Sequence, residues 1–154
     1  MSEDSQPPAI AKVHHIKFPC SDIDAALKWY TDVLSARRIE QFDHFKADGS
    51  VFAYILDMPL FGNINLELRL DADHAEKQRG HDPVTWAVGS EADLESWEKW
   101  LTAKDVKHSR VLTGVIGWVL VFEDPDGRFL RLYTLEAHPK TALFDKDEYW
   151  LGRD

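Results

Sequence analysis

The residues best placed to do chemistry lie between Phe122 and Leu135, where a turn feeds a strand that carries a cation among aromatic rings. Asp124-Pro125-Asp126-Gly127 has Pro where a turn wants φ pre-set near about −65° and Gly where φ must turn positive. From Arg128 the pattern alternates, placing Leu130 and Leu132 on one face and Phe129, Arg131 and Tyr133 on the other. A guanidinium offers a planar fork of donors suited to a carboxylate, enolate or phenolate oxygen, and neighbouring rings supply stacking area. Such a face fits a partly enclosed cavity better than open water. Arg131, Tyr133 and Phe129 are therefore candidate ligand-binding residues, with Trp118, which follows Gly114 and Gly117, the aromatic best placed to join them.

A second candidate is His15. Val13 to Cys20 alternates with Ile16, Phe18 and Cys20 on one face and His15, Lys17 and Pro19 on the other. An imidazole there has the titration range for acid–base work, and its ordinary alternative is a hydrogen-bonded structural histidine. The residues alone leave both readings open. Trp86, Trp97 and Trp100 fall on stripes assigned to packing and are read as core.

The elements that must position these side chains form a repeat. The strand Val13 to Cys20 leads into a helix capped by Ser21, with Ile23, Ala26, Tyr30, Val33 and Leu34 as its apolar stripe. Strands follow near Gln41 to Lys46, Val51 to Asp57 and Asn63 to Leu70. Residues 71 to 81 are charged and aperiodic and serve as the junction. The pattern then restarts: a strand at Pro83 to Val88, a helix opened by Ser90-Glu-Ala-Asp93, and strands at Lys107 to Leu112, Gly117 to Glu123 and Arg128 to Leu135. The chain thus reads as a duplicated strand-helix-three-strand unit, 13–70 and 82–135, in one domain spanning 13–136. Residues 1–12 form a flexible polar tail. Residues 137–154 form an aromatic-rich tail that docks on its own domain, covers a cavity mouth or meets a partner subunit.

Composition narrows the partners. With 154 residues the chain is long enough for one well-packed domain. Its 18 Lys and Arg against 27 Asp and Glu give a net charge of −9 with no basic cluster, which argues against nucleic acid. No apolar run approaches the roughly 20 residues needed to cross a bilayer. Cys20 stands alone, excluding an internal disulfide, and Met1 to Lys12 lacks the apolar core of a signal peptide, so a cytoplasmic location is expected.

Two such units, opened by His15-Ile-Lys-Phe-Pro-Cys-Ser-Asp22 and closed by Asp124-Pro-Asp-Gly-Arg-Phe-Leu-Arg-Leu132, resemble the vicinal oxygen chelate superfamily of glyoxalase I, bleomycin resistance proteins and extradiol dioxygenases. The resemblance implies an α+β fold in which tandem βαβββ units form a half-open mixed β-barrel with helices outside, often completed by a homodimer partner. It also implies metal ligands on the first and last strand of each unit. His15 and Glu67 match the first pair, whereas the second unit offers Pro83 (Val84 in an ungapped alignment) and Arg131, with His81 two residues upstream of Pro83. A guanidinium neither ligates a divalent ion nor tolerates one nearby, so no metal and no other cofactor is expected. Instead Arg131 is expected to pair with Glu67.

The function expected on these grounds is metal-independent binding of a small aromatic or polyketide-like molecule in the barrel cavity. The protein would be a binding or resistance-type protein, or a metal-free isomerase or cyclase using His15 or Glu67 as the proton acceptor. The rival is a divalent-metal lyase or dioxygenase. Fold alone does not choose among them.

Overall fold

The computed structural model of the chain describes residues 6–152; the first five residues of the expected N-terminal tail and the last two of the C-terminal one lie outside the described residues. The first unit runs β1 (His15–Cys20), α1 (Ile23–Leu34), β2 (Arg37–Arg38), a 3-10 turn (Glu40–Phe42), β3 (His44–Phe45), β4 (Val51–Asp57) and β5 (Asn65–Leu70). After α2 (Ala72–Lys77) the second runs β6 (Thr85–Val88), α3 (Glu91–Ala103), β7 (Leu112–Thr113), β8 (Gly117–Glu123) and β9 (Phe129–Ala137), followed by α4 (Glu148–Leu151). The strand orders correspond: β1-β5-β4-β2, with β3 added on β4, and β6-β9-β8-β7. In each sheet the first strand of the unit lies parallel to the last, and the remaining pairs are antiparallel.

The expected α+β duplication is present as two sheets, and among the described residues they do not close into a barrel. One face of each sheet enters a common core. Phe18, Leu66 and Leu68 from the first sheet meet Trp86, Leu120, Leu130 and Leu132 from the second, with Tyr30 of α1 and Leu94 and Leu101 of α3. All five residues of the predicted α1 stripe are buried. The side chains at the intervening strand positions lie on the face turned away from this core, and these two outer faces carry the candidate chemistry.

Local differences from the sequence reading have identifiable causes. Asp22, not Ser21, caps α1 by accepting from the Ala25 amide at 3.0 Å. Ser21 instead donates to Asp126 Oδ1 at 2.5 Å, a partner 105 residues away that local pattern cannot reveal. Ser90 and Asp93 do open α3, as predicted, and they form a reciprocal capping box. The expected strand Gln41 to Lys46 is a 3-10 turn and a two-residue β3. Lys107 to Leu112 contributes a single bridge from His108 to Phe122 and the start of β7. The junction holds the short helix α2, capped by Asp71 and burying Ala75 alone, too little apolar surface to leave a period.

The turn before β9 is fixed by a buried polar network. Arg128 is fully buried and makes short contacts with Asp124 and with the Pro19 carbonyl of β1, while its Nε donates to Gln78 Oε1 at 2.8 Å. Asp124 also accepts from Tyr30 Oη at 2.8 Å and from the amides of Asp126 and Arg128 at 2.9 and 3.0 Å. Gly127 takes φ of 78°, as the turn requires, and a side chain there would be strained and would have to displace Arg79. These bonds tie both units together and set the register of the strand that carries Arg131.

Candidate functional site

On the outer face of the first sheet, register places Glu67 between Lys17 of β1 and Ile55 of β4, with His15 beside Asn65. Above Glu67 lies a pocket of about 450 Å³ walled by His15, His44, Ile55, Asn65 and Glu67 and by the turn at Gln41 to Asp43. The pocket falls within the size range of small-molecule sites. Glu67 is only 2% exposed, yet its partners are few. Arg69 Nη1 donates to Oε2 at 3.3 Å, and His44 Nε2 stands 3.6 Å from Oε1, beyond good hydrogen-bond length. A carboxylate can accept about four hydrogen bonds, so Glu67 keeps most of its capacity for whatever enters the pocket.

His44 was not legible as a site residue. It belongs to a two-residue strand paired with β4, its Nδ1 lies 2.8 Å from the Phe42 carbonyl, and its ring meets Phe52 edge-on at 5.6 Å. Holding Nδ1 on a carbonyl leaves Nε2 turned toward Glu67 in the same pocket wall. His15 also lines the pocket, and its Nδ1 lies 2.9 Å from that of His14.

Arg131 occupies the matching place in the second sheet, between Thr85 of β6 and Val121 of β8. The predicted pair with Glu67 does not form, because the two residues lie on different sheets and line different pockets. Arg131 Nε is 2.6 Å from Asp82 Oδ2, and its Nη2 donates to the Trp150 carbonyl at 3.2 Å. Removing Arg131 would therefore orphan Asp82 rather than Glu67. Arg131 and Tyr133 line a pocket of about 310 Å³ with Ile116, Val119 and Leu151. Phe129 is buried beneath Tyr149 and Trp150 at ring separations of 5.5 and 5.2 Å. Trp118 lines neither pocket; it packs on the main core and meets His138 edge-on at 5.8 Å. Exposed His81 joins β9 through its carbonyl, which accepts from the Phe129 amide at 2.9 Å. The C-terminal segment docks on its own domain, with Trp150 and Leu151 packed on Leu112, Val119, Val121 and Phe129.

Cys20 takes no part in either face. It is 1% exposed on the core side, and burial, reinforced by Asp126, pushes its thiol up to about 12. Because the thiolate is the reactive form, an aromatic disulfide reagent at neutral pH is expected to label the folded protein no faster than the protein unfolds, and to label it at once in denaturant. Rapid stoichiometric labelling of the native protein would contradict this burial.

The repeated topology defines a protein class built from paired βαβββ units. Residues 12–132 match the model of the Glyoxalase/Bleomycin resistance protein/Dioxygenase superfamily, and the chain belongs to that superfamily. Among solved structures it is similar to a glyoxylase/bleomycin resistance protein/dioxygenase domain from Frankia sp. EAN1pec, at 21% identity and TM-score 0.61, covering 82% of this chain and 93% of that one. It is similar to the fosfomycin resistance protein FosX from Listeria monocytogenes, at 14% identity and TM-score 0.64, covering 83% and 96%. It is also similar to TnmS3, an antibiotic-binding protein from Streptomyces sp. CB03234, at 17% identity and TM-score 0.63, covering 83% and 98%. At these identities the likeness establishes the fold. No match emerges among curated protein sequences. Among the described residues no helix is long and apolar enough to cross a membrane.

A FosX variant has been solved with Mn(II). Among the described residues no three His, Cys, Asp or Glu side chains come together to hold a metal, and the position matching Glu67 in the second unit carries a guanidinium.

Proposed function

We propose that the protein binds a small organic molecule, aromatic or polyketide-like, in the pocket above Glu67, without a metal. The observation that carries this reading is a carboxylate 2% exposed in the wall of a 450 Å³ pocket with so few donors around it. Burial without full hydrogen bonding is costly, and a ligand N–H or O–H would satisfy it. Phe42, half exposed at the pocket mouth, offers ring surface to the same ligand. The names of FosX and TnmS3 support a resistance or antibiotic-binding role. The rival within the same pocket is a metal-free isomerase or cyclase, favoured by the approach of His44 to Glu67 at 3.6 Å. In either case we take the protein to act as a cytoplasmic homodimer, consistent with its lone buried Cys20 and with exposed Phe42 and Phe45 beside the pocket.

The test is a thermal-shift screen of hydroxylated aromatic and polyketide compounds, followed by calorimetric titration of each hit with and without chelator. Chelator is expected to leave affinity unchanged. Glu67→Gln is expected to weaken binding by ~1.5–3 kcal/mol, about ten- to hundredfold, because a hydrogen bond to a charged acceptor is lost. A hit that binds Glu67→Gln and wild type equally would remove Glu67 from the site. Conversion of the hit by wild type but not by His44→Ala would favour the enzyme.

A further inference from the structure

The outer faces of the two sheets are equivalent in topology yet differ in what covers them. The first holds the pocket above Glu67, whereas the second is crossed by residues 138–152. The strap places the Trp150 ring 5.2 Å from Phe129 and its carbonyl 3.2 Å from Arg131 Nη2. An aromatic ring and an acceptor oxygen are what a ligand anchored on Phe129 and Arg131 would itself present. The face also retains donors the strap does not use. Arg131 Nε is held in the ion pair with Asp82 at 2.6 Å, and the strap engages Nη2 alone. Tyr133 Oη accepts from the amides of Ile116 and Gly117 at 2.9 and 3.1 Å, so its own hydrogen is left to donate elsewhere. A Cβ at Gly114 would stand 2.5 Å from that hydroxyl, so glycine is what lets it sit there.

The strap is fastened by polar contacts that are exposed apart from the part-buried one between Thr113 and Asp145. Asp145 accepts from the Thr113 amide at 2.7 Å and from Arg110 at 3.0 Å. Tyr149 Oη accepts from Lys107 Nζ at 2.6 Å and donates to Glu123. Exposed pairs of this kind contribute little each, and a helix of four residues such as α4 is far too short to persist alone.

We propose that residues 138–152 are an autoinhibitory strap: Trp150 stands in for an aromatic ligand bearing an acceptor oxygen, and such a ligand displaces it from the face formed by Phe129, Arg131 and Tyr133. The inference does not rest on the pocket above Glu67, which lies on the other sheet.

Indole-3-acetate, which joins the Trp150 ring system to an anionic oxygen, is the probe. Trp150→Ala in the full chain is expected to bind it about tenfold more tightly than wild type, and Arg131→Met in that background abolishes the gain. Tryptamine, with the same ring and an ammonium, gains nothing. Tyr149→Phe keeps the packing but releases the fastening, and is expected to tighten binding by about threefold; it carries the comparison if Trp150→Ala does not fold. In wild type, saturating probe speeds amide exchange at Trp150 and Leu151, which are bonded to Asp147 in the docked strap. Equal affinity of wild type and both variants overturns the proposal. So does absence of binding up to about 10 mM, or slower exchange in residues 147–152 on binding, the mark of a wall closing over its ligand.

Discussion

Asp124→Ala is expected to lower the melting temperature by roughly 6–20 °C, corresponding to about 3–5 kcal/mol in a domain of this size. The substitution leaves Arg128, which is fully buried, without its carboxylate, and simultaneously frees the Tyr30 hydroxyl and the Asp126 and Arg128 amides. Replacing a simple buried ion pair by apolar residues on both sides is often nearly neutral. That outcome is not expected here, because Arg128 also satisfies the Pro19 carbonyl and Gln78, and Asp124 closes its own turn. The Asp124→Ala, Arg128→Met double variant should therefore remain unstable, with near-UV circular dichroism showing loss of packing around Tyr30 and Phe18. A loss of about 1 kcal/mol or less for Asp124→Ala would mean that water reaches the network and that the turn is held by Gly127 and Pro125 alone.

The contrast between this network and the outer faces explains what could be read from the sequence. Residues whose role is set by local period were legible: the five-residue stripe of α1, the start of α3 at Ser90, and the boundaries of β4 and β8. The alternation of β9 was legible too, because a period of two separates Leu130 and Leu132 from Phe129, Arg131 and Tyr133 whatever lies opposite. What lies opposite was not. Whether Arg131 meets Glu67, Asp82 or the Trp150 carbonyl depends on how two sheets are placed across a core, and no spacing encodes that. Arg128 read as the first residue of a strand, yet it is among the largest fully buried side chains, made possible by partners at Pro19 and Gln78. His44 was hidden for the opposite reason. Its strand is two residues long and bulged against β4, too short to show alternation at all.

The two units also meet at the loop between β4 and β5, and there Phe61→Ala is expected to cost about 3–5 kcal/mol. Phe61 is 6% exposed, with its ring 4.7 Å from Trp86 and 6.3 Å from Trp97, so a first-unit loop fills the second unit's core. Two apolar grooves of about 290 and 240 Å³ share Leu60 and Trp97, and Phe61 walls the second of them. Deleting the ring would enlarge that space into a largely apolar one lined by Trp86, Trp97 and Leu132, which favours an apolar guest over water. The melting temperature should fall by roughly 6–20 °C, and benzene at about a hundred times its dissociation constant should restore about 2.7 kcal/mol of stability. Leu60→Ala is the control: Leu60 neighbours Phe61 but is 58% exposed, so its loss should stay within about 0.5 kcal/mol. A Phe61→Ala protein that melts with Leu60→Ala, or that benzene does not stabilise, would show that the loop collapses freely into the gap and that Phe61 does not join the units.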